Sequence, residues 1–164
     1  MVLSLILVFL YIYKAMETTL TKRLDQALKK LYEAYTNNTL HPECACNCAT
    51  GNVCDNKEMW KHFADTHGTL QLNYVGRVHQ SLGRRINGYL PTELLGIEAA
   101  FLKGCGYELP LHHKNKKPIN PKDIEVQFNG LCAAIDYLCE LDAVENVMNI
   151  MAVFEKKKSE LLFA

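Results

Sequence analysis

Residues 41 to 54 read HPECACNCATGNVC, which sets four thiols and one imidazole inside fourteen positions. Thiolate and imidazole are soft to borderline donors. They select Zn(II), Cu(I) or iron in a cluster, whereas Mg(II) and Ca(II) take oxygen ligands. The candidate metal ligands are therefore His41, Cys44, Cys46, Cys48 and Cys54. Which of them act together depends on the local backbone. In an extended chain side chains alternate, so Cys44, Cys46 and Cys48 would face one way. In a helix, positions i, i+3 and i+7 share a face, which groups His41, Cys44 and Cys48 and turns Cys46 away. Pro42 suits a first helical position, Glu43, Ala45 and Ala49 tolerate helix, and Gly51 with Asn52 would end it after two turns. The helical geometry is the expectation, with zinc or iron as the metal.

A closed tetrahedral site needs a fourth ligand. Cys54 is nearest in sequence, and His62, His67, Cys105, His112 and His113 can arrive only through folding. The spacing is neither the paired C-x-x-C of a zinc ribbon nor the C-x4-C-x2-C run of a plant-type ferredoxin. Cysteine in a helix is often only a small buried hydrophobe. That bland reading fits Cys132 and Cys139, seven apart in the apolar run LCAAIDYLCEL. It fits residues 41–54 less well, because His, Asn and Asp flank those thiols.

Other polar candidates read as structural. His62 and His67 are five apart and do not align on one helix, which suits a cap or a surface role. Cys105 lies at a helix C-terminus, where the dipole disfavours a thiolate. Glu93 reads as a first-turn charge and Glu98 as a surface residue. Arg77 and Arg84 can grip a phosphate or carboxylate, although a solvated face is the simpler reading. Tyr74, Tyr89 and Trp60 read as core or core edge.

These residues must be positioned by helices. Leu20, Leu24, Leu28, Leu31 and Tyr35 recur at helical spacing. DNKEMWKHFADTHG reads as a short helix with Asp55 or Asn56 as N-cap and Gly68 beyond its end. LQLNYVGRVHQSLGRRINGY carries Leu72, Val75, Val78 and Leu82 as a helical stripe. PTELLGIEAAFLKGCG opens on Pro91 and Thr92, with Gly104 just past its end. YELPLHHKNKKPINP, with Pro110, Pro118 and Pro121, has no apolar period and predicts a long irregular connection. Two final helices follow, with Asp142 as a cap between them. The fold expected is all-α, a single domain of about six helices with a short Cys-rich helix or loop.

At 164 residues the chain has the length of one domain, and 18 basic residues balance 18 acidic ones. That balance gives no global electrostatic reason to expect nucleic acid as a partner. Seven cysteines is an odd number for a secreted disulfide framework, so reduced thiols and a cytoplasmic setting are expected. Residues 2–13, VLSLILVFLYIY, fall short of the ~20 apolar residues that span a bilayer. No stable membrane insertion is expected. Residues 1–15 read as an apolar extension upstream of a start at Met16, with residues 16–164 forming the helical domain. A short membrane-surface anchor is the competing account of the extension.

The segments LYEAYTNNTLHPECACNCATGN, WKHFADTHG, LNYVG and GYLPTELLGIEAAFLKGCGYELPLHHKNKKP occur in this order across about residues 20–118. In them the chain resembles a small protein family of Bacteroidetes whose members often carry the label of a Na(+)-translocating NADH-quinone reductase component. The resemblance implies a lineage and a cytosolic setting. It supplies no catalytic residues, since neither a plant-type cluster spacing nor a G-x-G-x-x-G fingerprint is present. The functional expectation is a helical protein with a Cys/His metal, iron–sulfur or redox site around residues 41–54, serving electron transfer or metal handling. The competing expectation is a cofactor-free helical protein that binds another protein and whose cysteines are incidental.

Overall fold

The computed structural model describes residues 20–146. The apolar run of residues 2–13, the start at Met16 and all but the first residues of the expected last helix lie outside the described residues. Among the described residues are five α-helices and one 3-10 turn: α1 Lys22–Thr36, α2 Ala49–Val53, the turn Met59–Phe63, α3 Tyr74–Ser81, α4 Pro91–Cys105 and α5 Ile124–Leu141. There is no strand among the described residues, only an isolated bridge between Ile86 and Tyr89. The all-α expectation holds.

The central layer is α4 against α5, the most extensive helix contact among the described residues. Small residues let the two backbones close. A side chain on Gly104 would stand 2.6 Å from the Ala133 Cβ and 2.7 Å from the Asn129 carbonyl oxygen. Gly104 therefore lies inside α4, not past its end, and Gly106 (φ 96°) makes the left-handed cap instead. Pro91 occupies the first turn as expected, and Glu93 accepts the Leu90 N–H at 2.8 Å.

Of the stripe read from its spacing, α1 buries Leu24 and Leu31, and Leu20, Leu28 and Tyr35 pack partly buried against the core, with Ala27 and Ala34 buried beside them. It leans on α2 and α5. Arg23 ties α1, α4 and α5 together. Its Nε donates to Asp142 at 2.8 Å, its Nη1 donates to the Gly88 carbonyl at 2.9 Å and meets Glu93 at 3.1 Å, and its guanidinium stacks over Tyr89. Asp142 ends α5 instead of starting a further helix.

Four further local expectations change. First, residues 41–48 form turns, and helix begins only at Ala49, so His41, Cys44 and Cys48 do not share a helical face. The reason is local: His41 Nδ1 accepts the Glu43 N–H at 3.1 Å and closes the chain there, while Cys48 adopts an extended conformation as N-cap. Second, Asp55 and Asn56 both have φ near 58° and start no helix; their N–H groups instead close the end of α2 on the Asn52 and Gly51 carbonyls, and Glu58 precedes a 3-10 turn of five residues. Third, the stripe on α3 points outward. Val75, Val78 and Leu82 are exposed, as is Tyr74, because the helix docks through Gly76, whose added side chain would meet the Phe63 carbonyl oxygen at 2.4 Å. Fourth, Glu98 is buried. The connection over residues 107–123 contains no helix, as its prolines predict. No helix among the described residues is long and apolar enough to cross a membrane.

Candidate metal centre

Three elements converge on one buried point. The first is the corner that carries Cys48. As N-cap of α2 its Sγ accepts the Gly51 N–H at 3.3 Å and lies 3.5 Å from the Ala45 carbonyl oxygen, to which the thiol donates. The corner is held by amide and indole side chains that occupy its carbonyls. Asn52 Nδ2 donates to Asn47 at 3.0 Å and to Cys48 at 2.9 Å, Asn56 Nδ2 donates to Cys46 at 3.0 Å, and Trp60 Nε1 donates to Ala45 at 3.0 Å. Gly51 is required here by close approach: any side chain would stand 2.3 Å from the Ala45 carbonyl oxygen.

The second element is the loop after the 3-10 turn, which presents His67. Its carbonyl accepts the Leu111 N–H at 2.9 Å, and its ring packs edge-on against Trp60 with centroids 5.7 Å apart. The third is the middle of α4, where Glu98 is 1% exposed in a helix that also buries Leu94, Leu95, Ile97 and Leu102. His67 Nε2 lies 2.8 Å from Glu98 Oε1, and Glu98 Oε2 accepts a long 3.4 Å bond from the Thr50 N–H. Ligand atoms of Cys48, His67 and Glu98 all lie within 4.8 Å of one another.

No family model, curated protein or solved structure matches this chain. What the site does must be read from its own chemistry.

Burial, and then the neighbouring charge of Glu98, push the Cys48 thiol well above its ordinary pKa, against the opposing Gly51 N–H. On its own this thiol is a poor nucleophile at neutral pH. The geometry also differs from a nucleophilic triad. There an imidazole stands between thiol and carboxylate, using both ring nitrogens. Here the carboxylate receives His67 on one oxygen and the Thr50 N–H on the other, while the Cys48 thiol donates to the Ala45 carbonyl. Three donors that converge on a point can hold a metal ion.

The donor set fits one cation. Thiolate, neutral imidazole and carboxylate sum to two negative charges, which a divalent ion neutralises inside the core. Ligation through Nε2 places the histidine proton on Nδ1. Tetrahedral ligands at ~2.0–2.1 Å stand about 3.3 Å apart, so His67 and Glu98 must separate by only a few tenths of an ångström. A cleft of about 220 Å3, walled by Trp60, Ala64, Thr66 and Leu95, opens onto His67 and Glu98.

Of the five ligands expected from sequence, the structure brings only Cys48 into this group. Cys46 projects outward, where its thiol hydrogen-bonds Glu58 at 3.1 Å, and that bond raises its pKa. Cys54 is buried at the C-terminal end of α2, and burial raises its pKa to about 12. Cys44 is half-buried in the turn, and His41 is occupied with the Glu43 N–H. His62, His112 and His113 lie outside the group, and Cys105 is buried with its pKa raised to about 12 by burial. Glu98, a surface residue by its spacing, is the member that sequence reasoning misses. Its signal is present all the same, as the lone charge inside the apolar stretch LLGIEAAFL.

Proposed function

We propose that this protein is a metal-binding helical protein holding a single divalent ion of the zinc class at Cys48, His67 and Glu98. One observation carries the reading: a carboxylate 1% exposed sits with a buried thiol and an imidazole, and their ligand atoms all lie within 4.8 Å. Burial of an acidic side chain is expensive unless a cation or hydrogen bonds compensate it. One sulfur, one nitrogen and one oxygen favour a lone borderline ion over an iron–sulfur cluster, which uses several thiolates. Three protein ligands beside a cleft leave room for a fourth from water or a small molecule, the pattern of reactive zinc sites. Metal handling or metal-assisted chemistry follows more directly from this donor set than electron transfer, because Zn(II) has no redox chemistry.

The test is metal analysis of the reduced protein, followed by Co(II) substitution. The expected result is one ion per chain and an intense thiolate-to-cobalt band in the near ultraviolet. Cys48→Ser should abolish the band, and Glu98→Gln and His67→Gln should abolish stoichiometric binding. Cys46→Ser and Cys44→Ser should leave both unchanged. Absence of tight binding in the unsubstituted protein, or equal loss on replacing Cys46, would defeat the assignment.

A further inference from the structure

The metal reading leaves α3 without a role. Tyr74, Val75, Val78 and Leu82 occupy a sector about 100° wide on that helix, and they are 75%, 45%, 38% and 61% exposed. Leu70, in the preceding loop, is 61% exposed as well. Scattered exposed apolar residues are ordinary, but four on one short helix and its cap form a patch of the kind that marks an interaction site.

The charges around it are segregated. Three of the four arginines in the chain, Arg77, Arg84 and Arg85, fall within nine residues here, while no lysine occurs between Lys61 and Lys103. No acidic residue occurs between Asp65 and Glu93. Arg77 and Arg84 are exposed and make no ion pair among the described residues, whereas Arg85 reaches Gly88 and Glu93. Tyrosine and arginine enriched, with lysine and acids depleted, is the composition of protein interfaces.

The helix is also held rigid. Asn73 accepts the Gly76 N–H at 2.9 Å and donates to the His62 carbonyl at 2.9 Å, and Gly76 seats the helix on the Phe63 carbonyl. At the far end Gln80 Oε1 accepts from the Thr92 N–H at 3.1 Å. A surface fixed before binding loses little conformational entropy when a partner arrives.

We propose that the outer face of α3 is a docking site for an amphipathic helix of another protein, with an apolar stripe against Tyr74, Val78 and Leu82 and carboxylates paired to Arg77 and Arg84. Charge complementarity selects this occupant. A second copy of the chain, paired face to face, would bring arginine against arginine. An anionic membrane would be served equally by lysine, and the arginine forks match carboxylates in two-point contacts.

The test sorts a displayed library of helical peptides against the full chain. Winning peptides should carry apolar residues at i, i+3 and i+4 spacing flanked by Glu or Asp, and their affinity should fall as salt rises. Val78→Asp should weaken them about tenfold or more, with circular dichroism and melting temperature as checks on folding. If that variant misfolds, Leu82→Gln takes its place. Arg77→Glu should weaken the same peptides, and a peptide with lysine in place of the facing glutamate should recover binding to that variant. No enriched peptide, or winners that bind Val78→Asp equally well, overturns the proposal. So does sedimentation with phosphatidylglycerol vesicles that Val78→Asp abolishes, which would assign the face to membrane. Dimerisation abolished by the same substitution would overturn it too, by assigning the face to a second copy.

Discussion

α4 and α3 invert the usual partition in opposite senses. α4 takes a carboxylate into the core at Glu98, and α3 holds two valines and a tyrosine out in solvent. Both departures cost stability in the isolated protein: a buried charge loses its hydration, and an exposed apolar face loses its burial. A chain under selection for stability alone has no reason to keep either. A buried polar group and an exposed apolar patch are the informative exceptions to the rule that hydrophobic residues go inside. Here both rest on the same support, the 3-10 turn Met59–Phe63. Trp60 from that turn braces the Cys48 corner, and Phe63 seats α3.

The comparison is broken most sharply by matched truncations. Leu94 on α4 is fully buried and Leu82 at the end of α3 is 61% exposed. Leu94→Ala should cost about 2–5 kcal/mol in urea unfolding, with loss of packing and a residual cavity. Leu82→Ala should stay within about 0.5 kcal/mol. Similar losses at both positions would mean that α3 faces the core in solution.

The next effect in size belongs to the buried carboxylate. A ligand that binds only the folded state stabilises it by about 2.7 kcal/mol when its free concentration is roughly a hundred times its Kd. Zinc added to metal-free protein should raise the melting temperature accordingly, and a chelator should reverse it. Glu98→Gln should remove the response to zinc, while Val78→Asp should preserve it, since the α3 face lies outside the ligand set. A zinc response that survives Glu98→Gln would place the ion elsewhere.

The smallest effect separates both regions from ordinary surface charge. Hydrogen bonds from Lys30, then Asn87, hold the Asp55 carboxyl below its usual value of 3.8. A folded pKa below the unfolded one means that the contribution is complete above the unfolded value and is lost as pH falls through the folded one. Asp55→Asn removes that contribution, so the variant should be slightly less stable at neutral pH and should converge with the parent as pH falls below about 4. Thermal unfolding between about pH 2 and pH 7 measures this, and an equal loss across that whole range would refute the assignment.

Much of the fold is legible in sequence because it rests on short-range periodicity. The stripe of α1, the proline start of α4 and the irregular connection after Gly106 each follow from neighbours a few residues apart. The site is only partly legible. Cysteine spacing points to the corner that carries Cys48, but helical spacing misleads across residues that a His41 turn and a Cys48 cap hold out of helix. The other two members of the site, His67 and Glu98, lie far along the chain, and only tertiary packing brings them in. For α3 the periodicity is legible and the direction is not. A stripe does not say which side of a helix the body of the protein occupies; Gly76 decides that by allowing a backbone contact on the opposite face.

The clasp around Arg23 has a topological consequence. Thr21 donates to Asp142, and Arg23 grips the same carboxylate, so the first and last of the described helices meet across more than a hundred residues of chain. The path from α1 to α5 is nearly a closed ring. Which helix comes first is then a matter of where the ring is cut. Splicing the polypeptide across that clasp and reopening it within residues 117–119, beyond the Lys116 bonds to Glu108, would yield a circular permutant with every described helix in its present place.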